Sequence, residues 1–384
     1  MKLVWFISGL VFITGVFAAP DEERLGKKQG YPVCPLAFTW QIGEHCLVGM
    51  YSHYDQVAPA RKVAKGEQVR PLKRTAKAPD LKAVRIDAFL ATNRNTGLLV
   101  MQGDTILAER YQYERKPEHR FYSMSMAKTV VAMLIGIAVS EGRISSIEDR
   151  AEKYVPELKG QPYGETPIRN LLGMTSGVKF VEKYQGDDDI AVLGRRVLSN
   201  EGKGGADAVA PFRERVAPPG ERFNYSSGDT FVLGLVLRGA TGVPLADYLS
   251  EKIWRPMGAE ADASWVVDQS GQELAFVGVS ATLRDWGRLG LLLAEGGARD
   301  GVQIIPAEWL RAATAPGSPV PGYGYQIWLR GKDRFALLGL RGQAVYVHPA
   351  TKTVVVHTAV HSGPGGNRAD QEAVFNAAVS RLEQ

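Results

Sequence analysis

Cysteine is nearly absent from this chain: Cys34 and Cys46 are the only two in 384 residues. That scarcity leaves cysteine catalysis and thiolate zinc binding poorly supported. No cysteine stands where a lipid anchor would need one. The opening apolar stretch, Leu3 to Phe17, is shorter than the about 20 residues of a membrane-spanning helix. Basic residues gather between Arg61 and Arg85, among them Lys62, Lys65, Arg70, Lys73, Arg74, Lys77 and Lys82, but no aromatics interleave them. A formal charge of +5 without that interleaving argues for a solvated connecting segment and against nucleic-acid binding. Internal repeats and low-complexity tracts are also missing.

What is present at the start looks like a processing segment. Lys2 gives a positive beginning, the apolar run follows, and Val16-Phe17-Ala18, with Ala19 as the neighbouring choice, offers small residues at cleavage spacing. The expectation is a signal peptide over 1–19 and an exported, periplasmic or secreted protein without a stable membrane anchor. In an exported chain a single cysteine pair so placed favours a disulfide over a metal site. Residues 20–80 then form an N-terminal extension carrying the Cys34–Cys46 loop, laid over a main body spanning 81–384. Because neither cysteine belongs to the site argued below, reduction is expected to leave turnover nearly intact.

The chemistry concentrates in residues 121–142, FYSMSMAKTVVAMLIGIAVSEG. After Ser125 the run is apolar on nearly every side, so it predicts a helix buried inside a domain, with Gly142 as its stop. Lys128 is the one full charge in the run. It stands three residues after Ser125, a spacing that puts both side chains on one helix face. Desolvation and the positive end of the helix dipole both lower a lysine pKa there, which makes Lys128 a candidate base near neutral pH. A serine hydroxyl beside such a base becomes an acyl-transfer nucleophile. The same four-residue pattern recurs as Ser176-Gly177-Val178-Lys179, but in a Thr-Ser-Gly turn with no buried helix after it.

Around this centre the patterns order themselves. LKAVRIDAFLATN reads as an amphipathic helix, and TGLLVMQGDTILAERYQY as a hairpin turning at Gly103-Asp104. From about 144 to 270 helical patterns and loops dominate, which suggests a helical subdomain. TLRDWGRLGLLLAEGG and PAEWLRAAT are further helices. FALLGLRGQAVYVHP and KTVVVHTAVHSG read as two strands joined at Pro349-Ala350-Thr351, and QEAVFNAAVSRLEQ closes the chain as a helix. Strands near both ends with helices between them predict one sheet assembled from distant segments, in an α/β chain of the α+β type.

Two more groups carry chemical promise. In PPGERFNYSSGD, Tyr225 sits on a tight turn, and Ser226 and Ser227 can cap a helix beginning near Asp229. A tyrosine held beside a lysine can relay a proton. In GLRGQ, residues 339–343, glycines within a predicted strand mark a close approach or a bulge, and a free strand-edge N–H is an oxyanion donor. Other patterns fail on geometry. Gly173–Gly177 has threonine at the centre of its would-be nucleophile elbow. His357 and His361 lie on a predicted strand, roughly 13 Å apart. Asp187–Asp189 reads as a solvated loop. Gly363-Pro364-Gly365-Gly366 lacks the Gly-Lys-Ser/Thr ending of a phosphate loop.

SMAKT, TPIRNLLGMTSG, PPGERFNYSSGD, WVVD…ATLRDWGRLGLLL, GYGYQIW and GLRGQAVYVHP, in this order from about 85 to 380, resemble the serine β-lactamase-related hydrolases. The likeness is to the branch holding class C β-lactamases, family VIII esterases and 6-aminohexanoate-dimer hydrolase. The resemblance implies an antiparallel sheet flanked by helices, a helical subdomain and a site in the cleft between them. It implies Ser125 as the acylated residue, Lys128 as its base, and Tyr225 completing the relay. Backbone N–H groups of Ser125 and of a residue near Gln343 would hold the oxyanion; Arg341 is a candidate for a substrate carboxylate unless strand alternation points it away. No cofactor or metal is implied. Two departures stand out: Ser227 replaces the asparagine of Tyr-x-Asn, and Leu340-Arg341-Gly342 stands near the place of Lys-Thr-Gly. Both turn the expectation from penicillins toward small-molecule esters or small amides. The alternatives are a β-lactamase or D-alanyl-D-alanine peptidase, and a sensor that is acylated without turnover. Nothing in the sequence speaks to oligomeric state.

Overall fold

The computed structural model describes residues 19–37, 41–74, 81, 84–199, 201–317 and 319–383. Of the expected leader only Ala19 falls among them, and Lys77 and Lys82 also lie outside.

Seven strands form the main sheet, in the order Trp328–Leu329, Phe335–Gly339, Gln343–His348, Thr353–Ala359, Asn95–Gln102, Thr105–Tyr111 and Lys73–Arg74. All neighbours are antiparallel except the last pair. The predicted hairpin is there, with Gly103 in the left-handed region at its turn. Thr353–Ala359 lies directly beside Asn95–Gln102, so the two ends of the chain share the sheet centre. These two strands are buried on both faces apart from a partly exposed Gln102. One face packs on the helix Leu283–Ala294 and the other on Arg368–Leu382.

The C-terminal strand pattern differs from the sequence expectation. FALLGLRGQAVYVHP is two strands, because Leu340–Gly342 is a turn in which Arg341 has φ 60° and Gly342 φ 99°. A left-handed pair of residues reverses the chain where strand alternation would have carried it straight on.

A second, four-stranded antiparallel sheet runs Ala60–Val63, Ala263–Val266, Val279–Thr282, Arg120–Tyr122. The N-terminal extension therefore supplies an edge strand to each sheet. Cys34 and Cys46 form a disulfide, which precedes the buried helix Leu47–His53. No single described helix is long and apolar enough to cross a membrane.

The helix Met126–Ser140 is buried from Met126 through Ala138, as an all-round apolar sequence requires. Gly136 explains how tightly it is enclosed. A Cβ there would come within 2.2 Å of the Trp309 indole, whose Nε1 donates to the Ala132 carbonyl at 3.0 Å. On another side packs the helix Ser227–Thr241. Gln326, 2% exposed, ties the two together. Its backbone carbonyl accepts from Thr129 at 2.6 Å and its side-chain oxygen accepts from Thr230 at 2.7 Å.

Candidate active site

Ser125 is the N-cap residue of the helix Met126–Ser140, and Met124 just before it holds a positive φ of 46°. That left-handed step turns the chain out of the strand Arg120–Tyr122 and into the helix, leaving Ser125 partly exposed. Lys128 follows on the first turn and is 1% exposed. Its ammonium donates to the Ser227 hydroxyl at 2.7 Å and lies 5.1 Å and 5.4 Å from the ring centres of Tyr225 and Phe276. Burial pushes its pKa down to about 8, with Glu182 and Asp229 opposing the fall. At pH 7 about one molecule in ten then carries a neutral Lys128.

Tyr225 lies beside Ser125 in the cleft, and burial next to the Glu182 charge holds its phenol well above the ordinary range. The phenol is protonated at neutral pH, so of the two groups beside the nucleophile Lys128 is the base. Tyr225 is fixed by its neighbours: its ring stacks on Trp328 at 5.8 Å and meets Tyr323 edge-on.

The turn bearing Tyr225 is built by the motif before it. Asn224 N–H donates to the Met174 carbonyl at 2.8 Å. Ser226 caps the helix Ser227–Thr241 by accepting from Asp229 N–H at 3.1 Å, so the helix starts two residues earlier than the sequence suggests. Ser176, from the second Ser-x-x-Lys, donates to the Asp229 carboxylate at 2.8 Å, and burial pushes that carboxyl up to about 7. Its partner Lys179 is exposed and pairs with Glu214 at 2.6 Å.

Three participants were not singled out from the sequence. Ser227, noted there as a cap and a departure, is the hydroxyl that receives the Lys128 bond. Glu182 accepts from Ser227 N–H at 2.7 Å, from the Ser227 hydroxyl at 3.0 Å and from the Tyr184 phenol at 2.6 Å. It sits in a segment without periodicity. That segment is held by the aspartates read as a solvated loop: Asp188 accepts from Lys183 and Tyr184 N–H groups, and Asp189 from Val181 N–H. The third is Arg368, discussed below.

Two cavities meet at Ser125. The narrower, with about 50 Å³ open to a water-sized sphere, is walled mainly by Ile190, Val197, Leu198, Leu274 and Phe276, with Glu182 its one acid. Tyr54 of the extension also lines it, stacked on Tyr122 at 4.5 Å, so the segment behind the disulfide reaches the site. The wider, about 230 Å³, is lined by Tyr225, Trp328, Leu338, Gly339, Leu340 and Arg368.

This geometry bears on the oxyanion and carboxylate assignments. Gln343 lines neither cavity. It is 1% exposed and registers opposite Gly339 within the sheet. The strand end facing Ser125 is Leu338–Leu340, where a Cβ on Gly339 would come 2.5 Å from the Ser123 carbonyl. Arg341 turns away with the left-handed turn, and its guanidinium donates to the His361 and Ser362 carbonyls at 2.7 and 2.8 Å. The arginine at the cleft is Arg368, which donates to Gln343 and Gly339 carbonyls and to the Gln371 side chain. Burial holds its pKa below the usual value, and the groups acting on it are Tyr346, Tyr225 and Arg330 rather than a carboxylate.

Among the described residues the one cluster with metal-like spacing is Cys34, His45 and Cys46, whose sulfurs are joined to each other. His357 and His361 are buried and held neutral, pushed down to about 3 and about 4.

A protein-family model described as Beta-lactamase matches residues 86–379. Over 358 residues the chain is 27% identical to a 6-aminohexanoate-dimer hydrolase of Paenarthrobacter ureafaciens, covering 88% of each. A Bacillus anthracis structure provisionally assigned as a 6-aminohexanoate-dimer hydrolase superposes with a TM-score of 0.76 at 25% identity, over 88% of this chain and 94% of that one. A penicillin-binding protein homologue from Caulobacter crescentus gives 0.60 at 16% identity, over 80% and 99%, a likeness of fold alone.

Proposed function

The chain belongs to the β-lactamase family and is a serine hydrolase; from that premise we propose that it cleaves an ester or small amide through an acyl-enzyme on Ser125. The observation that carries the reading is Lys128: buried, pushed down to about 8, and one helical turn from a partly exposed serine that Tyr225 also touches. Lysine-activated serine chemistry needs a neutral amine at working pH, and this environment supplies a usable fraction of it.

In the proposed reaction Ser125 Oγ attacks the carbonyl carbon while its proton passes to Lys128 Nζ. The tetrahedral oxyanion sits between the Ser125 N–H and the strand end Leu338–Leu340. The Tyr225 phenol, protonated and beside Ser125, hands a proton to the departing oxygen or nitrogen and is reprotonated from Lys128. Water, activated by the same pair, then releases the acid and regenerates Ser125.

The cavities suggest the substrate. A narrow apolar slot suits an unbranched aliphatic acyl chain, and the wider side, where Arg368 pairs with no carboxylate among the described residues, suits a carboxylate on the leaving portion. A linear amide or ester bearing a terminal carboxylate meets both, in keeping with the relative named for the 6-aminohexanoate dimer. We place the reaction outside the cytoplasm, a reading supported by the leader-like opening and the Cys34–Cys46 disulfide. N-terminal sequencing of the protein from a fractionated host should begin at Ala19 or Pro20; an intact Met1 would sink this placement.

The test is hydrolysis of short-chain nitrophenyl esters and of a linear ω-amino-acid dimer, with intact mass recorded, by the wild type beside Ser125→Ala. Turnover confined to the wild type is expected. A lasting Ser125-dependent mass gain without turnover would favour a sensor, and preferential cleavage of a chromogenic cephalosporin would favour a β-lactamase.

A further inference from the structure

We propose that Glu182 is a positioning residue that keeps the lone pair of Lys128 free for Ser125, by claiming the one proton of the Ser227 hydroxyl. The inference rests on the proposed reading of Lys128 as base, and it starts from hydrogen-bond counting. A seryl hydroxyl has a single proton and can point it at only one acceptor. Lys128 donates to Ser227 Oγ at 2.7 Å, and Ser227 donates to Glu182 Oε1 at 3.0 Å. The hydroxyl is thereby fixed as an acceptor toward the lysine.

The consequence appears when Lys128 loses its proton. A neutral amine keeps two N–H donors and gains one lone pair, and that lone pair is what takes the Ser125 proton. A neighbouring hydroxyl free to rotate would donate into it and quench the base. Where the family motif places an asparagine, this chain has a group that can play either role, so something must hold it to one. Glu182 does so with two bonds to the same residue, the second from Ser227 N–H at 2.7 Å at the start of the helix Ser227–Thr241. The carboxylate is itself immobilised by the Tyr184 phenol at 2.6 Å and by a segment pinned through Asp188 and Asp189. The other groups facing Lys128 are Asp229, whose charge also raises it, and the Tyr225 and Phe276 rings. None of these competes for the lone pair as a freely rotating donor.

Glutamine at 182 would break the arrangement. Its single oxygen cannot accept all three donors, and its amide N–H₂ offers Ser227 a donor instead of an acceptor. The experiment is the pH profile of kcat for wild type, Glu182→Gln, Ser227→Ala and the double variant, with thermal melts alongside. Glu182→Gln should lose about tenfold or more on the alkaline plateau, and its acid limb should move to lower pH because a charge that raises Lys128 is gone. Ser227→Ala should lose less than Glu182→Gln, since it removes the competing donor together with the acceptor. The double variant should be faster than Glu182→Gln alone and within about threefold of Ser227→Ala. Wild-type kcat in Glu182→Gln, or a double variant as slow as that single, would overturn the proposal. If Glu182→Gln does not fold, Ser227→Ala decides: a loss as deep as that of Lys128→Ala would mean the hydroxyl itself is required. A wild type with no Ser125-dependent turnover would sink the underlying reading instead.

Discussion

The same four-residue pattern occurs twice in this molecule, and the two copies have opposite fates. Ser125 and Lys128 share the first turn of a buried helix, and the lysine, 1% exposed, is pushed down to about 8. Ser176 and Lys179 flank a turn in which Gly177 has φ 72°. There the serine donates inward to Asp229, while the lysine is exposed, paired with Glu214 and held above its usual value. In the first copy the helix keeps the two side chains on one face, and desolvation lets a fraction of the amine shed its proton near neutral pH. In the second, the turn separates them and solvent plus an ion pair keep the ammonium charged. Spacing proposes a pair; burial makes it reactive.

Substituting the two lysines is the sharpest way to break the contrast. Lys128→Ala should lower kcat/KM about a thousandfold or more while the fold survives, and Lys179→Ala should stay within about twofold, since exposed ion pairs contribute little. Comparable losses in both, measured on one ester, would erase the distinction.

The next effect is in pH. Only neutral Lys128 can take the Ser125 proton, and its pKa is lowered, so kcat/KM should climb about tenfold per pH unit below about 8 and flatten above. A profile flat from pH 5 to 8 would mean that another group is the base.

Ser176→Ala sharpens the comparison from the structural side. It strips a hydrogen bond from a fully buried carboxyl, so unfolding free energy should fall by about 1–3 kcal/mol while kcat changes little. A large kcat loss at unchanged stability would show that the second copy takes part in the chemistry after all.

Smallest in turnover is the effect of the disulfide. Reducing Cys34–Cys46 removes a short-loop constraint and should destabilise the extension by about 2–4 kcal/mol. Because Tyr54 walls the narrow cavity, a modest shift in acyl-chain preference is expected, measured as kcat/KM along an ester series. An unchanged series would mean that Tyr54 holds its place without the staple.

Local patterns made much of this legible. The apolar run after Ser125, the Gly103 hairpin and the Ser226 cap each follow from signals within a few residues. What escaped was set by turns or by tertiary contact. Arg341 faces away from the cleft because Leu340–Gly342 reverses the chain, and nothing in an apolar-flanked LRG distinguishes a turn from a strand crossing. Glu182 has no neighbour in sequence to announce it. It becomes visible only when two aspartates clamp its segment against a helix start some forty residues on.

The pairing of Gln102 with Thr353 at the sheet centre also orders events in time. Loop closure between such distant strands is slow and cannot begin until Thr353 has been synthesised. The helix bearing Ser125 therefore emerges long before its cover exists, as an apolar segment with an unactivated pair and no pocket. Until the last strands arrive the chain is chemically silent, and during that interval its most valuable helix is also its stickiest. Any factor that holds this chain unfolded should recognise Met126–Ser140 first.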